Sequence, residues 1–585
     1  MPDSFFASQK SRKRKRPEPS GSKPSRKGDS QFKRKPNPRS TNGPTTSKRK
    51  RQDEELESDQ TNDEDGGVDD MDLRADTEDE HADSGEEDLD ETPAEKRLRL
   101  AKLYLQGVKE DMGLAEGEFD AAEIDKELIS SRLKQDVMEH SGKLHLFVAD
   151  SYDLTASAPS KRFTKGHRLP VTSAVATQSG KYLFTSGKEG HIIKWDLSTG
   201  KQLKQLYKVR PTMNNKGKGK ALDPDIKGHT DEVLALAVSH DGRYLASGSR
   251  DRKIGVWDAE KCEWIKSFVG PSGHKDGISA LCFRQGTHQL YSASFDRTLK
   301  VYDLSPSVMG YVETLFGHQD HVVGVDCLRA ETCVSVGARD TTVRFWKIVE
   351  ETQLVFRGGG QSKVREVLEG GFRADDEEKS SAESKHVEGS LECVAMIDDN
   401  TFVSGGDSGT ISLWTTQKKK PVHKHPLAHG LNEAFSETSG IILTPRWVTA
   451  LATLRYSDLF ASGSWDNTIR LWKVDSKLKS FSLLSTLPVP GVINSLQFIT
   501  PPKGTLESIS WITPSLPSTS QSNDHDPAYT TKKSGTVVKP VLLIAGVGQE
   551  HRLGRWISTK DKGGRNESVV FALLPKRSTQ TSLSS

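Results

Sequence analysis

The sequence has no run of eighteen or more apolar residues, so we expect no membrane-spanning helix. Residues 1–19 carry no apolar stretch, which predicts that no secretory signal is present. Cysteine is scarce, no two cysteines form a CxxC motif, and each lies in or beside an apolar run: Cys262, Cys282, Cys327, Cys333 and Cys393. This pattern disfavours a disulfide scaffold or a zinc site and predicts buried thiols in a reducing compartment.

The motifs of common catalytic and nucleotide-binding sites are also missing. Gly358–Gly360 lacks the GxxxxGK[ST] spacing of a phosphate loop, and neither GxSxG nor HExxH occurs. His423, His425 and His429 resemble a metal-binding tract, but they lie in a lysine-rich segment without an evident fourth ligand. We therefore predict a protein that is not an enzyme and has no cofactor, no metal and no small-molecule substrate.

Charge is strongly segregated at the N-terminal end. Residues 1–51 contain 17 Lys/Arg and three acidic residues, whereas residues 53–92 contain 21 Asp/Glu and one Arg. Apolar residues make up only 33% of the whole chain, which indicates solvated segments beside a folded part. We predict that residues 1–92 form a disordered arm, basic and then acidic, because folded surfaces rarely segregate charge in this way.

Dense basic clusters in this arm resemble bipartite nuclear import signals, and the same charges could neutralise phosphates. A merely solvated tail is the alternative. The residues that we expect to act in nuclear targeting are Arg12, Lys13, Arg14, Lys15, Arg16, Lys48, Arg49, Lys50 and Arg51.

A short helical segment is predicted over residues 93–140. Residues 95–110 are strong helix formers that follow Thr92-Pro93, and their apolar residues lie on one stripe. A second helix is expected at about residues 121–139. The pair could pack on the rim of the following domain or contact a partner.

From residue 144 the sequence becomes repetitive, and the repeat carries the strongest signal in the chain. An aromatic residue follows a histidine by 28 positions five times: Trp195, Trp257, Tyr302, Trp346 and Trp414 follow His167, His229, His274, His318 and His386. Trp472 and Trp556 complete a set of seven aromatics. Short alternating runs precede most of them, as expected of β-strands.

These features predict an all-β fold, a seven-bladed WD-repeat β-propeller over residues 144–577. An acidic residue six positions before the aromatic marks a tight turn: Glu189, Asp251, Asp296, Asp340, Asp466 and Glu550, with Asp407 displaced by one place. We interpret His229, Asp251, Trp257, His274, Asp296, His318, Asp340, Trp346, Asp466 and Trp472 as a structural network. A catalytic interpretation is disfavoured because the same set recurs in every blade, whereas an active site occurs once.

Insertions explain the uneven spacing of the repeats. Residues 208–224, 357–388 and 501–538 have the composition of extended loops. The third insertion splits the last repeat, which resumes at Val541. Either the SVVFALLP segment near the C-terminus or a strand just before His167 could supply the final strand of the seventh blade.

Several strings resemble a known family. The most specific is AGVGQEHRLGRW at 545–556, and ETPAEKRLRLAKLYL at 91–105, SGGDSGTISLW at 404–414 and VINSLQF at 492–498 agree with it. Together they resemble the WD-repeat 55-kilodalton proteins of the U3 small nucleolar ribonucleoprotein. The resemblance covers roughly residues 91–577.

The resemblance implies a subunit that binds U3 small nucleolar RNA beside a kink-turn-binding protein and other processome proteins. Its expected role is pre-ribosomal RNA processing leading to 18S ribosomal RNA, in the nucleolus. Candidate RNA-binding residues are Arg252, Arg339 and Arg344 in the blades, with Gln549, His551, Arg552 and Arg555 in the last repeat. The alternative is a generic nuclear scaffold that binds proteins, such as a chromatin or ubiquitin-ligase adaptor.

Overall fold

The structure is a computed structural model that describes residues 145–154, 159–210, 226–358, 389–436, 440–502 and 538–576, with Arg99, Thr505, Ile509, Trp511 and Ile512. Arg99, inside the first predicted helix, is helical. The remainder of the predicted helical segment, the charged arm and its targeting residues lie outside the described residues.

Seven four-stranded antiparallel sheets form the domain. The first strand along the chain, β1 (Lys161–Thr164), belongs to blade 7. Blade 1 comprises β2 (Val171–Ala176), β3 (Tyr182–Gly187), β4 (Ile192–Asp196) and β5 (Gln202–Leu206); blade 2 comprises β6 (Val233–Val238), β7 (Tyr244–Ser249), β8 (Ile254–Asp258) and β9 (Trp264–Phe268); blade 3 comprises β10 (Ile278–Phe283), β11 (Gln289–Ser294), β12 (Thr298–Asp303) and β13 (Gly310–Phe316).

Blade 4 comprises β14 (Val322–Cys327), β15 (Thr332–Gly337), β16 (Thr342–Lys347) and β17 (Thr352–Arg357); blade 5 comprises β18 (Leu391–Met396), β19 (Thr401–Gly406), β20 (Ile411–Thr415) and β21 (Lys418–His425). A separate hairpin, β22 (Leu431–Ser436) and β23 (Gly440–Pro445), precedes blade 6. Blade 6 comprises β24 (Ala450–Thr453), β25 (Leu459–Gly463), β26 (Thr468–Val474) and β27 (Phe481–Pro488), and blade 7 adds β28 (Val492–Ile499), β29 (Val541–Gly548) and β30 (Glu567–Leu573) to β1.

The first strands of neighbouring blades pack side by side in a closed ring, because β2 contacts both β6 and β28. The predicted seven-bladed WD-repeat propeller is therefore confirmed. In the described residues the buried apolar side chains form seven clusters, each between two neighbouring blades. A single sheet cannot bury both of its faces alone, so each blade depends on its neighbours.

The tight turns between the second and third strands need a residue with positive φ. Glycine fills this position in blades 1 and 5, at Gly190 (φ 80°) and Gly409 (φ 70°). Arg252 (φ 68°), Arg297 (φ 70°) and Asn467 (φ 61°) fill it in blades 2, 3 and 6. Because the strands alternate in direction, these turns lie on the same face as the connections between blades; we call it the upper face.

Blade 7 closes the ring with both segments that the sequence left as alternatives. The SVVFALLP segment supplies β30, the third strand, and the strand before His167 supplies β1, the fourth. Arg162 pairs with Val570 and Phe163 with Val569. The outermost strand of the last blade thus comes from the beginning of the domain.

Residues 145–153 bind the lower face of blades 6 and 7. The amides of Val148 and Ala149 donate to Asp458 Oδ1 at 2.8 and 3.0 Å. The Tyr152 hydroxyl donates to the Lys539 carbonyl at 3.1 Å, and burial raises the pKa of this tyrosine. This segment adds a second tie between the start of the domain and its last blades.

All five cysteines are buried and none forms a disulfide, as the sequence predicts. The three predicted insertions fall in the connections β5–β6, β17–β18 and β28–β29, and most of their residues lie outside the described part. Within the described residues, no helix is both long enough and apolar enough to cross a membrane.

Candidate nucleic-acid interface

A buried hydrogen-bonded set links the upper-face turn of a blade to its third strand. In blade 2, His229 Nδ1 lies 3.2 Å from Asp251 Oδ2, and His229 Nε2 lies 2.6 Å from Ser247 Oγ. The same serine oxygen accepts from Trp257 Nε1 at 2.8 Å. The carboxylate also accepts the Thr230 amide at 2.8 Å, so one set fixes a connection, a turn and two strands.

Four further blades repeat the arrangement. The corresponding residues are His167, Glu189, Thr185 and Trp195 in blade 1; His274, Asp296 and Ser292 in blade 3; His318, Asp340, Ser335 and Trp346 in blade 4; and His429, Asp466, Ser462 and Trp472 in blade 6. In blade 3 the Tyr302 hydroxyl donates to the Ser272 carbonyl instead. Although burial raises it, hydrogen bonds from His318 and backbone amides lower the pKa of Asp340 to about 2.

The histidine tract at 423–429 is divided among different roles. His429 belongs to the blade 6 set, 37 residues before Asp466, because the β22–β23 hairpin is inserted between them. The His425 ring centroid lies 4.9 Å from that of Trp472, and the His423 ring lies 4.9 Å from Phe481. No group of three or more His, Cys, Asp or Glu residues in the described ranges is arranged to hold a metal ion.

Blade 7 departs from the repeat, and the prediction that Trp556 is its blade tryptophan is wrong. Phe571, opposite Leu543, occupies the position that Trp257, opposite Leu245, occupies in blade 2. Trp556 lies instead between β29 and β30, with 60% of its surface exposed. The interval from Glu550 misleads because residues 549–566, which we call the crossing loop, replace the tight turn of the other blades. Residues 550–555 also lack the alternation that precedes the other tryptophans.

Arg552 anchors the crossing loop on the far side of the ring. Its Nη1 donates to the Ser279 carbonyl at 2.7 Å and its Nη2 to the Val323 carbonyl at 2.9 Å, in the first strands of blades 3 and 4. Its backbone amide donates to Asn494 Oδ1 at 2.9 Å in blade 7. The predicted phosphate contact would have to compete with these bonds, because both terminal nitrogens are already donors inside the ring.

Other residues fix the beginning of the crossing loop. Lys188 Nζ, on the blade 1 turn, donates to the Gly554 carbonyl at 2.9 Å and lies 3.5 Å from Glu550 Oε2. Gln549 Nε2 donates to the Gly564 carbonyl at 3.0 Å. His551 is only 1% exposed, and burial, with the nearby cations Arg552 and Lys188, lowers its pKa to about 3. Of the predicted loop residues, Gln549, His551 and Arg552 therefore serve internal contacts.

Arg555 is the predicted loop residue that faces solvent. Its side chain is 85% exposed, and its Nε lies 3.8 Å from Glu550 Oε2. Arg250, Arg297 and Arg339 are exposed on the upper-face turns of blades 2, 3 and 4. The upper face therefore presents arginines on four of its blades.

The two other predicted arginines are less accessible. Arg252 is half-buried at a positive-φ turn position. Arg344 lies within β16, where Nη1 donates to Gln353 Oε1 at 2.6 Å. Sequence reasoning missed Lys188 and the exposure of Trp556, because both depend on the path of the crossing loop.

Comparisons with known proteins agree with this architecture. The family described as "WD domain, G-beta repeat" matches residues 159–196, 223–258, 264–303, 310–347, 381–415 and 441–473. The chain is 31% identical to ribosomal RNA-processing protein 9 of Saccharomyces cerevisiae, over 84% of this chain and 91% of that protein. It is 35% identical to U3 small nucleolar RNA-interacting protein 2 of Homo sapiens, over 83% of each chain. A crystal structure of the RRP9 WD40 repeats is 35% identical with a TM-score of 0.53, and covers 72% of this chain and 99% of that chain.

Proposed function

Since the chain belongs to the family of U3 small nucleolar ribonucleoprotein proteins that includes ribosomal RNA-processing protein 9 and U3-55K, we propose that it binds U3 small nucleolar RNA as a non-enzymatic assembly subunit. In this role it acts in the pre-ribosomal RNA processing that leads to 18S ribosomal RNA and the small subunit. Propellers of this kind are typically non-catalytic scaffolds. The His–Asp–Ser sets support that role here, because they recur in several blades and connect the turns and strands of each.

The observation that carries the proposal is the crossing loop with its exposed Arg555. Internal contacts to blades 1, 3, 4 and 7 hold the loop over the ring, so Arg555 is presented on a fixed support. Guanidinium groups bind phosphate with two parallel hydrogen bonds, and a loop that is already held needs no further backbone ordering when Arg555 binds. Arg250, Arg297 and Arg339 add exposed guanidinium groups on the same face, with Arg250 Nη1 3.4 Å from Glu232 Oε2.

We assign a phosphate-binding role to Arg555 and Arg339, with Arg252 and Arg344 at the margin of the surface. Gln549, His551 and Arg552 contribute by fixing the loop. The protein partners under this proposal are the kink-turn-binding protein on the same RNA and further processome proteins. Its location is the nucleus and nucleolus, with the basic clusters of residues 12–16 and 48–51 as the targeting segment.

The proposal is tested by measuring the affinity of the full-length protein for U3 small nucleolar RNA over a range of salt concentrations. Each phosphate contact contributes roughly 0.7–0.9 to the slope of log K against log salt. Arg555→Ala and Arg339→Ala should each weaken binding and reduce that slope by about this amount. Arg243→Ala is the matched control, because Arg243 is exposed on the opposite, lower face.

Wild-type protein that shows no preference for U3 RNA over an unrelated RNA of equal length would contradict the proposal. It would favour a scaffold that binds proteins through the same face.

A further inference from the structure

Trp556 has an unusual position for a tryptophan in this fold. Trp195, Trp257, Trp346, Trp414 and Trp472 are all buried in blades, whereas Trp556 is 60% exposed on the crossing loop. It neighbours Arg555, the most exposed of the predicted cations in the loop. Single exposed apolar side chains are ordinary on protein surfaces, so the exposure of Trp556 is informative only because the indole stands beside Arg555 on a loop that internal contacts fix.

One face of the Trp556 ring is supported by the loop itself. A Cβ at position 554 would lie 1.6 Å from Trp556 Cζ3, so the indole packs directly on the Gly554 backbone, where a side chain would collide with it. The Gly554 carbonyl is held by Lys188 Nζ at 2.9 Å. The His551 ring centroid lies 5.8 Å from the Trp556 ring at 45°. The indole is therefore held in place.

A second tryptophan lies beside the exposed indole, and a lysine of the crossing loop contacts a third. The Trp447 ring centroid lies 6.4 Å from that of Trp556 at 48°, too oblique for the two rings to stack on one another. Lys562 Nζ lies 5.5 Å from the ring centroid of Trp465, on the neighbouring turn of blade 6. An exposed indole beside an arginine is a combination by which proteins hold single-stranded nucleotides, the ring stacking on a base and the cation contacting its phosphate.

We propose that the exposed face of Trp556 is a stacking platform for an unpaired base of the bound RNA, beside phosphate contacts from Arg555. This inference rests on the proposed function and deepens it, because it assigns the surface to single-stranded nucleotides at a loop, bulge or end. A regular duplex presents no free base face, so the site selects RNA in which at least one base is unstacked.

The test compares Trp556→Ala, Trp556→Phe and wild-type full-length protein in binding U3 small nucleolar RNA. Trp556→Ala should weaken binding about tenfold or more, and Trp556→Phe should retain most of the affinity. The salt slope of Trp556→Ala should match that of wild type, because no phosphate contact is removed, whereas Arg555→Ala should lower it. Phe147→Ala is the matched control, since Phe147 is 52% exposed in the 145–153 segment on the lower face.

A second measurement identifies the base. Ultraviolet crosslinking of wild-type protein, followed by peptide mapping, should join the peptide containing Trp556 to one nucleotide. Removing that base to leave an abasic site should weaken wild-type binding as much as Trp556→Ala does, and the two changes together should cost no more than either alone.

The outcomes separate the two proposals. Wild-type protein that does not bind U3 RNA would contradict the proposed function itself. Wild-type binding that is unaffected by Trp556→Ala, or additive losses with the abasic RNA, would overturn the stacking platform and leave RNA binding through the arginines intact. Thermal unfolding of Trp556→Ala should equal that of wild type, which shows that lost affinity is not lost folding.

Discussion

His551 illustrates how the ring interior changes the chemistry of a side chain. It belongs to the crossing loop, beside Arg552 and Lys188, and within the described residues its Nδ1 has no hydrogen-bond partner. Burial and these two cations lower its pKa from 6.5 to about 3, so it is neutral near pH 7. A neutral imidazole cannot contact phosphate as a cation, which distinguishes it from the exposed Arg555.

The shift of His551 predicts a pH-dependent stability. The unfolded state binds a proton at His551 below about pH 6.5, whereas the folded state does so only near pH 3. The free energy of unfolding is therefore unaffected by this group above pH 6.5 and decreases as the pH falls below it. At pH 5 this histidine alone should reduce the free energy of unfolding by about 2 kcal/mol. Urea unfolding from pH 7.5 to 4.5 should show a shallower decline for His551→Gln than for wild type.

His321→Gln makes the same replacement at an exposed histidine and serves as the comparison variant. Burial also lowers the pKa of His318 and His429, so only the difference between wild type and His551→Gln isolates His551. Parallel curves for wild type and His551→Gln would show that this residue carries no such linkage.

At the scale of elements, β1 and the crossing loop distinguish blade 7 from the other blades. β1 covers the edge of β30, whose seven residues are all buried. Without it, β30 would present an unpaired edge to solvent, which costs stability and invites association with other chains. Where β1 covers an edge, the crossing loop exposes side chains. Its internal contacts hold Arg555 and Trp556 in solvent.

Removal of β1 is therefore expected to weaken the whole ring. Deleting residues 1–165 should lower the free energy of unfolding by about 3 kcal/mol or more, because at least two buried side chains of blade 7 would become solvated. Deleting residues 1–144 retains both β1 and the 145–153 segment and serves as the control. Urea unfolding of both truncations is monitored by tryptophan fluorescence. Equal midpoints would show that β1 does not contribute to the free energy of unfolding.

At the scale of the whole molecule, the proposed targeting residues and the proposed RNA-binding face belong to different parts of the chain. The 17 basic residues of 1–51 precede the domain, and the described residues 145–153 enter it at the lower face, opposite the arginines of the upper face. RNA bound on the upper face, as proposed, would therefore leave residues 145–153 uncovered.

Deletion of residues 1–51 should reduce nuclear accumulation while the propeller unfolds as in wild type. The measurement is the nuclear fraction of a fluorescent fusion in cells, with thermal unfolding of the purified protein as the check on folding. Deletion of the acidic residues 53–92 is the control, because it removes a comparable length without the basic clusters. A 1–51 deletion that still concentrates in nucleoli would point to another targeting segment.

The WD-repeat propeller and the hydrogen-bonded sets of blades 2, 3 and 4 could be predicted from the sequence, although Trp556, the seventh aromatic counted, lies outside its blade. Each depends on local chemistry: His229, Asp251 and Trp257 stand at intervals fixed by strand and turn lengths, which repeat wherever the same hairpins form. The buried cysteines followed from the apolar runs around them, for the same local reason.

Only the tertiary structure decided the roles of the residues in the crossing loop. Arg552 and Arg555 are three positions apart in one motif, yet one donates to carbonyls of blades 3 and 4 and the other faces solvent. Trp556 stands six positions after Glu550, as the blade aromatics follow their turn residue, but it lies outside the blade. His429 belongs to a blade set although an inserted hairpin places it 37 residues before Asp466. These assignments depend on contacts between residues far apart in the chain, about which local spacing carries no information.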